Sequence, residues 1–148
     1  MAQIEIHRIP RNRHDEWEAL WRAYLDFYDA PYSEQATQTT WDRFHSPDEP
    51  MTALGAFDGE ELVGIVHYIY HRSTWTVENY CYLQDLFTRE DARGRGVGRT
   101  LIEAVCERAK EAGAGRVYWL TQEANTPARA LYDKLAERSG FIQYRRML

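Results

Sequence analysis

Apolar residues recur along the chain with two different periods, and the period identifies the element. Ile4, Ile6 and Ile9 fall in a short run before the charged turn Arg11 to His14, which predicts an opening strand. Trp17, Leu20, Trp21, Tyr24, Leu25 and Tyr28 then repeat at spacings of three and four, one apolar face of a helix that Ala30-Pro31 stops near Asp29. Ser33 is placed to cap a second helix whose buried side carries Thr37, Trp41 and Phe44. A loop covers 46–50, and the β-rich runs 52–57 and 62–70 flank Asp58-Gly59, a dipeptide suited to a hairpin turn. After a turn at 72–74, a run from Trp75 leads into the apolar and aromatic stretch Tyr80 to Phe87, read as an interior strand.

From there the pattern changes to strand, helix, strand, helix. A glycine- and arginine-rich loop at 92–99 precedes a helix from Arg99 to Ala112, with Ile102, Val105, Cys106 and Ala109 inward. A strand at 116–121 leads to a helix from Thr126 to about Arg138, with Ala128, Leu131, Tyr132, Leu135 and Ala136 on its apolar side. Gly140 ends it, and Phe141 to Met147 can form a closing strand. The fold class this predicts is α+β: one domain over 1–148, a mixed and mostly antiparallel sheet with helices on both faces.

Composition narrows the partners. At 148 residues the chain hides roughly 68–70% of its unfolded surface on folding, enough for a core without disulfides or structural metal. No apolar run approaches the roughly 20 residues that cross a bilayer, so no membrane partner is expected. The first residues lack an apolar signal core, and a cytoplasmic location is expected. Cys81 and Cys106 have no ligand spacing and read as reduced core residues; His67 and His71, near a hairpin end, have none either, and no metal is expected. The net charge of −5 argues against a nucleic-acid partner and for cationic substrates.

Chemistry concentrates in Arg93-Gly94-Arg95-Gly96-Val97-Gly98-Arg99-Thr100, between a buried strand and an amphipathic helix. Amide groups at a helix start lack intrahelical partners and carry partial positive charge, so they attract phosphate oxygens. Glycines let a pyrophosphate approach the backbone, and three arginines add charge. A simple tight turn is the competing reading. The nicotinamide fingerprint G-x-G-x-x-G fails, because the sixth position counted from Gly94 is Arg99, and no Lys-Ser or Lys-Thr completes a P-loop.

What remains, Arg93-x-x-Gly96-x-Gly98, resembles the acyl-CoA pyrophosphate motif of the GNAT N-acetyltransferase superfamily. Leu83-Gln84-Asp85-Leu86-Phe87-Thr88 is similar to that family's pantetheine-pairing strand. Asn125-Thr126-Pro127-Ala128-Arg129-Ala130-Leu131-Tyr132 is similar to its N-x-x-A-x-x-L-Y segment, and the likeness covers about residues 80–146. Within the family the pattern resembles the spermidine/spermine and the Hpa-type histone, polyamine and D-amino-acid acetyltransferases.

The resemblance implies a parallel strand pair that splays to admit a thioester, and acetyl-CoA as the donor with coenzyme A as product. It implies direct transfer to a primary amine of a small molecule such as a polyamine or amino acid. A protein lysine acetyltransferase and a non-catalytic acyl-CoA sensor are the alternatives, and a homodimer is expected. Donor-binding candidates are Leu86, Phe87, Thr88, Arg93, Gly94, Arg95, Gly96, Val97, Gly98, Arg99, Thr100 and Asn125, the last with helix capping as its other reading. Tyr132 matches the family's acid, against a plain core aromatic. Gln84 and Asp85 are the other catalytic candidates; Gln84 stands where the spermidine/spermine enzymes carry Glu, and an amide cannot accept a proton. Tyr28, Glu78 and Asp85 are acceptor-binding candidates, with Tyr24, Phe27, Tyr32, Asp26, Asp29 and Glu34 nearby as a cation-accepting wall or, alternatively, as core stripe and solvated face.

Overall fold

A computed structural model describes residues 3–148. Five strands form one sheet in the order β1-β2-β3-β4-β5: β1 (Ile4–Arg8), β2 (Met51–Asp58), β3 (Glu61–His71), β4 (Tyr80–Thr88) and β5 (Val117–Tyr118). The first four pair antiparallel, with Asp58 opposite Glu61 across the predicted hairpin turn, where Gly59 takes φ 61°. β5 runs parallel to β4 and pairs only as Cys81 with Val117 and Tyr82 with Tyr118. Beyond those two rungs the strands separate. The predicted mixed sheet with helices on both faces is the observed architecture.

One face is covered by α1 (His14–Phe27) and α2 (Glu34–Phe44), which bring Trp17, Leu20, Trp41 and Phe44 against Ile9, Ala53, Phe57, Leu62 and Ile65. Ser33 Oγ accepts from the Ala36 amide at 3.1 Å, the predicted cap. Thr37, buried on α2, accepts from Trp21 Nε1 at 3.1 Å and ties the two helices together. The other face holds α3 (Val97–Glu111), with Leu101, Ile102, Val105 and Ala109 buried against Leu54, Val63, Val66 and Leu83. Gly64 allows that contact to be close: a Cβ there would lie 2.8 Å from Val97 Cγ1 and 3.1 Å from Leu101 Cδ1. The start of α3 is thereby seated directly on β3. α4 (Thr126–Leu135) flanks it through Leu131, Tyr132 and Leu135.

Several boundaries differ from those the sequence predicts. Trp75 is 80% exposed and belongs to a loop, so β4 begins only at Tyr80. α3 starts at Val97, and its inward row uses Leu101 where Cys106 was expected; Cys106 is exposed while Cys81 is buried. β5 covers two residues of the expected six because it separates from β4 before a longer ladder can form. α4 ends at Leu135, and Phe141 to Met147 form no strand: Phe141, Ile142, Tyr144 and Met147 are 75–89% exposed and, among the described residues, have no neighbouring strand to pair with.

Candidate functional site

Where β4 leaves β5, one edge of β4 loses its partner over Leu83 to Thr88, and four elements converge on the gap. The loop after β4 turns through Gly94 (φ 80°) and Gly96 (φ 77°) before α3 begins. A Cβ at either position would meet nothing within 4 Å, so glycine is required there by backbone conformation, and the space outside the loop is open. The first amides of α3, from Val97 to Arg99, have no intrahelical acceptor, because Thr100 N–H to Gly96 O at 3.0 Å opens the helix ladder. A Cβ on Gly98 would lie 3.9 Å from Thr88 and 4.0 Å from Leu86 and Leu131, so the glycine leaves space between β4 and α4. This geometry fits a pyrophosphate on the loop and a narrow chain running along β4.

The arginines of the loop are not equivalent. Arg93 donates from Nε to Thr88 O at 3.1 Å, and its guanidinium lies over Phe87 and Phe27 at 5.4 and 5.8 Å. Arg95 pairs with Asp58 at 2.9 Å, and Arg99 with Glu103 at 3.1 Å. Both are exposed pairs, which are weak and exchangeable for a phosphate. Thr100 turns its hydroxyl back onto Gly96 O at 2.8 Å. Asn125 Oδ1 accepts from the Ala128 amide at 3.5 Å, so it caps α4. It also lines an opening of about 330 Å³ with Phe27, Tyr28, Asp29, Gln122 and Ala124.

On the α1 side of the gap the Asp85 carboxylate stands among tyrosines. Asp85 adds its charge to burial in raising the phenols of Tyr24, Tyr28 and Tyr82. Tyr24 packs edge-on against Tyr28 at 5.1 Å and against Phe87 at 6.1 Å. Tyr132, half-buried on α4, packs against Trp119 at 5.5 Å; burial first, then nearby Tyr28, raises its phenol as well. Tyr28 is therefore near both Asp85 and Tyr132. Charge on any of these phenols is disfavoured, so each stays a neutral donor at neutral pH.

Asp85 reaches this side because of an irregularity in the strand. His67 pairs with Asp85 and Tyr68 with Leu83, so Gln84 is an extra residue, a β-bulge, and is exposed. Regular alternation would set Asp85 on the same face as Leu83, inside the α3 core. Glu78 is not brought to the gap. It lies before β4, at the end opposite the loop, with its carboxylate against Gly115.

His67 is the residue the sequence reading misplaced. It is not near a hairpin end but in the middle of β3, 2% exposed, and it bonds Asp85 from Nδ1 at 2.9 Å. The available signal was a lone polar residue in the apolar run Leu62 to Tyr68, opposite Asp85 once β3 and β4 are paired. Tyr82 and Trp119 also join the site without having been singled out.

Known proteins of similar sequence and shape bear on this arrangement. The description "Acetyltransferase (GNAT) family" matches residues 17–136. The D-amino-acid N-acetyltransferase HPA3 of Saccharomyces cerevisiae is 36% identical over 146 residues, spanning 97% of this chain and 91% of that one. A thialysine N-epsilon-acetyltransferase of Caenorhabditis elegans is 36% identical over 95 residues, spanning 61% of this chain and 59% of its own. In shape, a ribosomal-protein-alanine N-acetyltransferase from Brucella melitensis superposes with a TM-score of 0.84 over 99% of this chain and 100% of that one, at 19% identity.

Proposed function

The chain belongs to the GNAT family of acetyltransferases, and from that premise we propose that it transfers acetyl directly to a primary amine of a small molecule in a ternary complex with acetyl-CoA. The observation that carries the choice of acceptor is Asp85, a carboxylate set among Tyr24, Tyr28 and Tyr82 beside the gap between β4 and β5. Aromatic faces and a carboxylate together attract an ammonium group. The D-amino-acid and thialysine activities of the relatives support an amino acid or a similar amine.

Acetyl-CoA, when bound, supplies an activated acetyl thioester and a thiol leaving group. Residues 93–99 would hold its pyrophosphate on backbone amides and arginines, and the unpaired edge of β4 over Leu86 to Thr88 would hold the arm. An alkyl ammonium with pKa about 10.4 must lose a proton to water before it can attack, and Asp85 orients the ammonium as it enters the gap. Gln84 has no proton-accepting group and serves at most through its bulge. Tyr132, kept neutral by burial, would offer its hydroxyl hydrogen to the coenzyme A sulfur as the amide bond forms and the thiolate leaves.

A homodimer is part of the same proposal. The exposed apolar tail at Phe141, Ile142, Tyr144, Met147 and Leu148 supports it, as does a cavity of about 450 Å³ between that tail, β5 and α4. Light scattering at micromolar concentration checks it, and a monomer contradicts it.

The activity test is thiol release from acetyl-CoA across D- and L-amino acids, polyamines, thialysine and lysine peptides. Release that depends on a small amine and falls in Tyr132→Phe supports the proposal. Tight coenzyme A binding without release from any amine overturns it in favour of a sensor.

A further inference from the structure

A chain of three side chains runs from the core to the acceptor wall. Trp17 is fully buried, and its Nε1–H donates to His67 Nε2 at 3.0 Å. His67 Nδ1 lies 2.9 Å from Asp85 Oδ2, and the Asp85 side chain keeps 15% of its surface exposed. The direction of these bonds follows from donor chemistry. An indole N–H can only donate, so Nε2 is an acceptor and carries no proton. The proton of the neutral ring is then on Nδ1, which donates to the carboxylate.

Nothing else around His67 requires a polar residue. Its ring sits among Phe44 at 4.6 Å, Trp21 at 5.4 Å and Trp17 at 6.0 Å, where an apolar side chain would pack without desolvating two nitrogens. Both nitrogens are used, one on the core and one on Asp85. The bulge at Gln84 and the tautomer set by Trp17 act on the same atom group from two directions. One brings the carboxylate to this face, and the other fixes how it stands there.

We infer that His67, locked by Trp17 as the Nδ1–H tautomer, is a positioning residue for the acceptor: it holds Asp85 in the orientation that receives the ammonium group and so sets amine affinity without touching the amine. The inference rests on the small-amine reading of the cleft. It assigns Trp17 and His67, both outside the donor loop, a part in selecting the second substrate.

The experiment compares wild type with His67→Leu, His67→Gln and Trp17→Phe. The amine KM, kcat, acetyl-CoA affinity and melting temperature are measured for each. His67→Leu should raise the amine KM by about tenfold or more while acetyl-CoA affinity stays within about twofold, because only one end of the cleft loses a hydrogen bond. His67→Gln, which keeps a donor and an acceptor, should recover most of that loss. A structural role alone would move the melting temperature and leave the amine KM in place. Nitrogen NMR of histidine-labelled wild type should show Nδ1 protonated and Nε2 bare, with Trp17→Phe releasing a mixture of tautomers.

An amine KM unchanged in a folded His67→Leu overturns the inference, as does a glutamine variant no better than leucine or a wild-type ring protonated on Nε2. If His67→Leu fails to fold, the glutamine variant and the tautomer decide. A wild type that acetylates no small amine sinks the small-amine reading and this inference with it. A wild type that does so, with His67 variants of unchanged amine KM, sinks the inference alone.

Discussion

Residues 93–100 and the wall of Tyr24, Tyr28, Tyr82 and Asp85 both border the open stretch of β4, and they are built from different materials. The loop acts through backbone: two glycines in the left-handed region, a helix start, and Arg95 and Arg99 held in exposed, weak pairs. The wall acts through side chains from α1 and β4, with a buried support from β3. Backbone recognition needs a contiguous stretch and tolerates changes in most side chains. Side-chain recognition draws on positions dozens of residues apart and fails when one is altered.

Substitutions can separate the two modes. The largest effect is expected for Tyr132→Phe, which should lower kcat by about 100-fold with acetyl-CoA affinity unchanged in calorimetry. Because burial raises its phenol, the wild-type rate should not fall through loss of that proton until above about pH 10; a fall near neutrality would point to another acid. Gly96→Val forces a β-branched residue to φ near 77° in the path of the phosphate. Acetyl-CoA affinity should fall by about tenfold or more while the amine KM stays constant. If the amine KM moved equally, the loop and the wall would not be separate devices.

A smaller effect is expected from Arg95→Ala. Its guanidinium already pairs with Asp58, so acetyl-CoA affinity should drop by less than about threefold, measured by titration over a salt series. A larger loss would mean that side-chain charge, not backbone, dominates at the donor end.

The same contrast explains what was legible in the sequence. Arg93-x-x-Gly96-x-Gly98 could be read directly because its chemistry is local, and the helices of the first half could be read because Trp17, Trp21, Tyr24 and Tyr28 repeat at helical spacing. That repeat hid their other role, since a core stripe and a cation wall use the same residues. Asp85 was visible, but its side was not. Strict alternation gives the wrong face, and only the pairing of Tyr68 with Leu83 and His67 with Asp85 exposes the bulge at Gln84. His67 stands out in the sequence only as a lone polar residue in an apolar run, because its partners, Trp17 and Asp85, are 50 and 18 residues away. The tail beyond Leu135 has strand-like composition, yet a strand is defined by a neighbour, and among the described residues none lies beside it.

The central claim is that Asp85 reads the charge of the acceptor while the loop reads the donor. Steady-state kinetics of Asp85→Asn, with a small amine and acetyl-CoA varied independently, tests it most directly. The account predicts that kcat/KM for the amine falls by about 100-fold while acetyl-CoA affinity, from calorimetry on the same sample, changes by less than about twofold. An amine kcat/KM within about threefold of wild type, or a parallel loss of acetyl-CoA affinity, would contradict it.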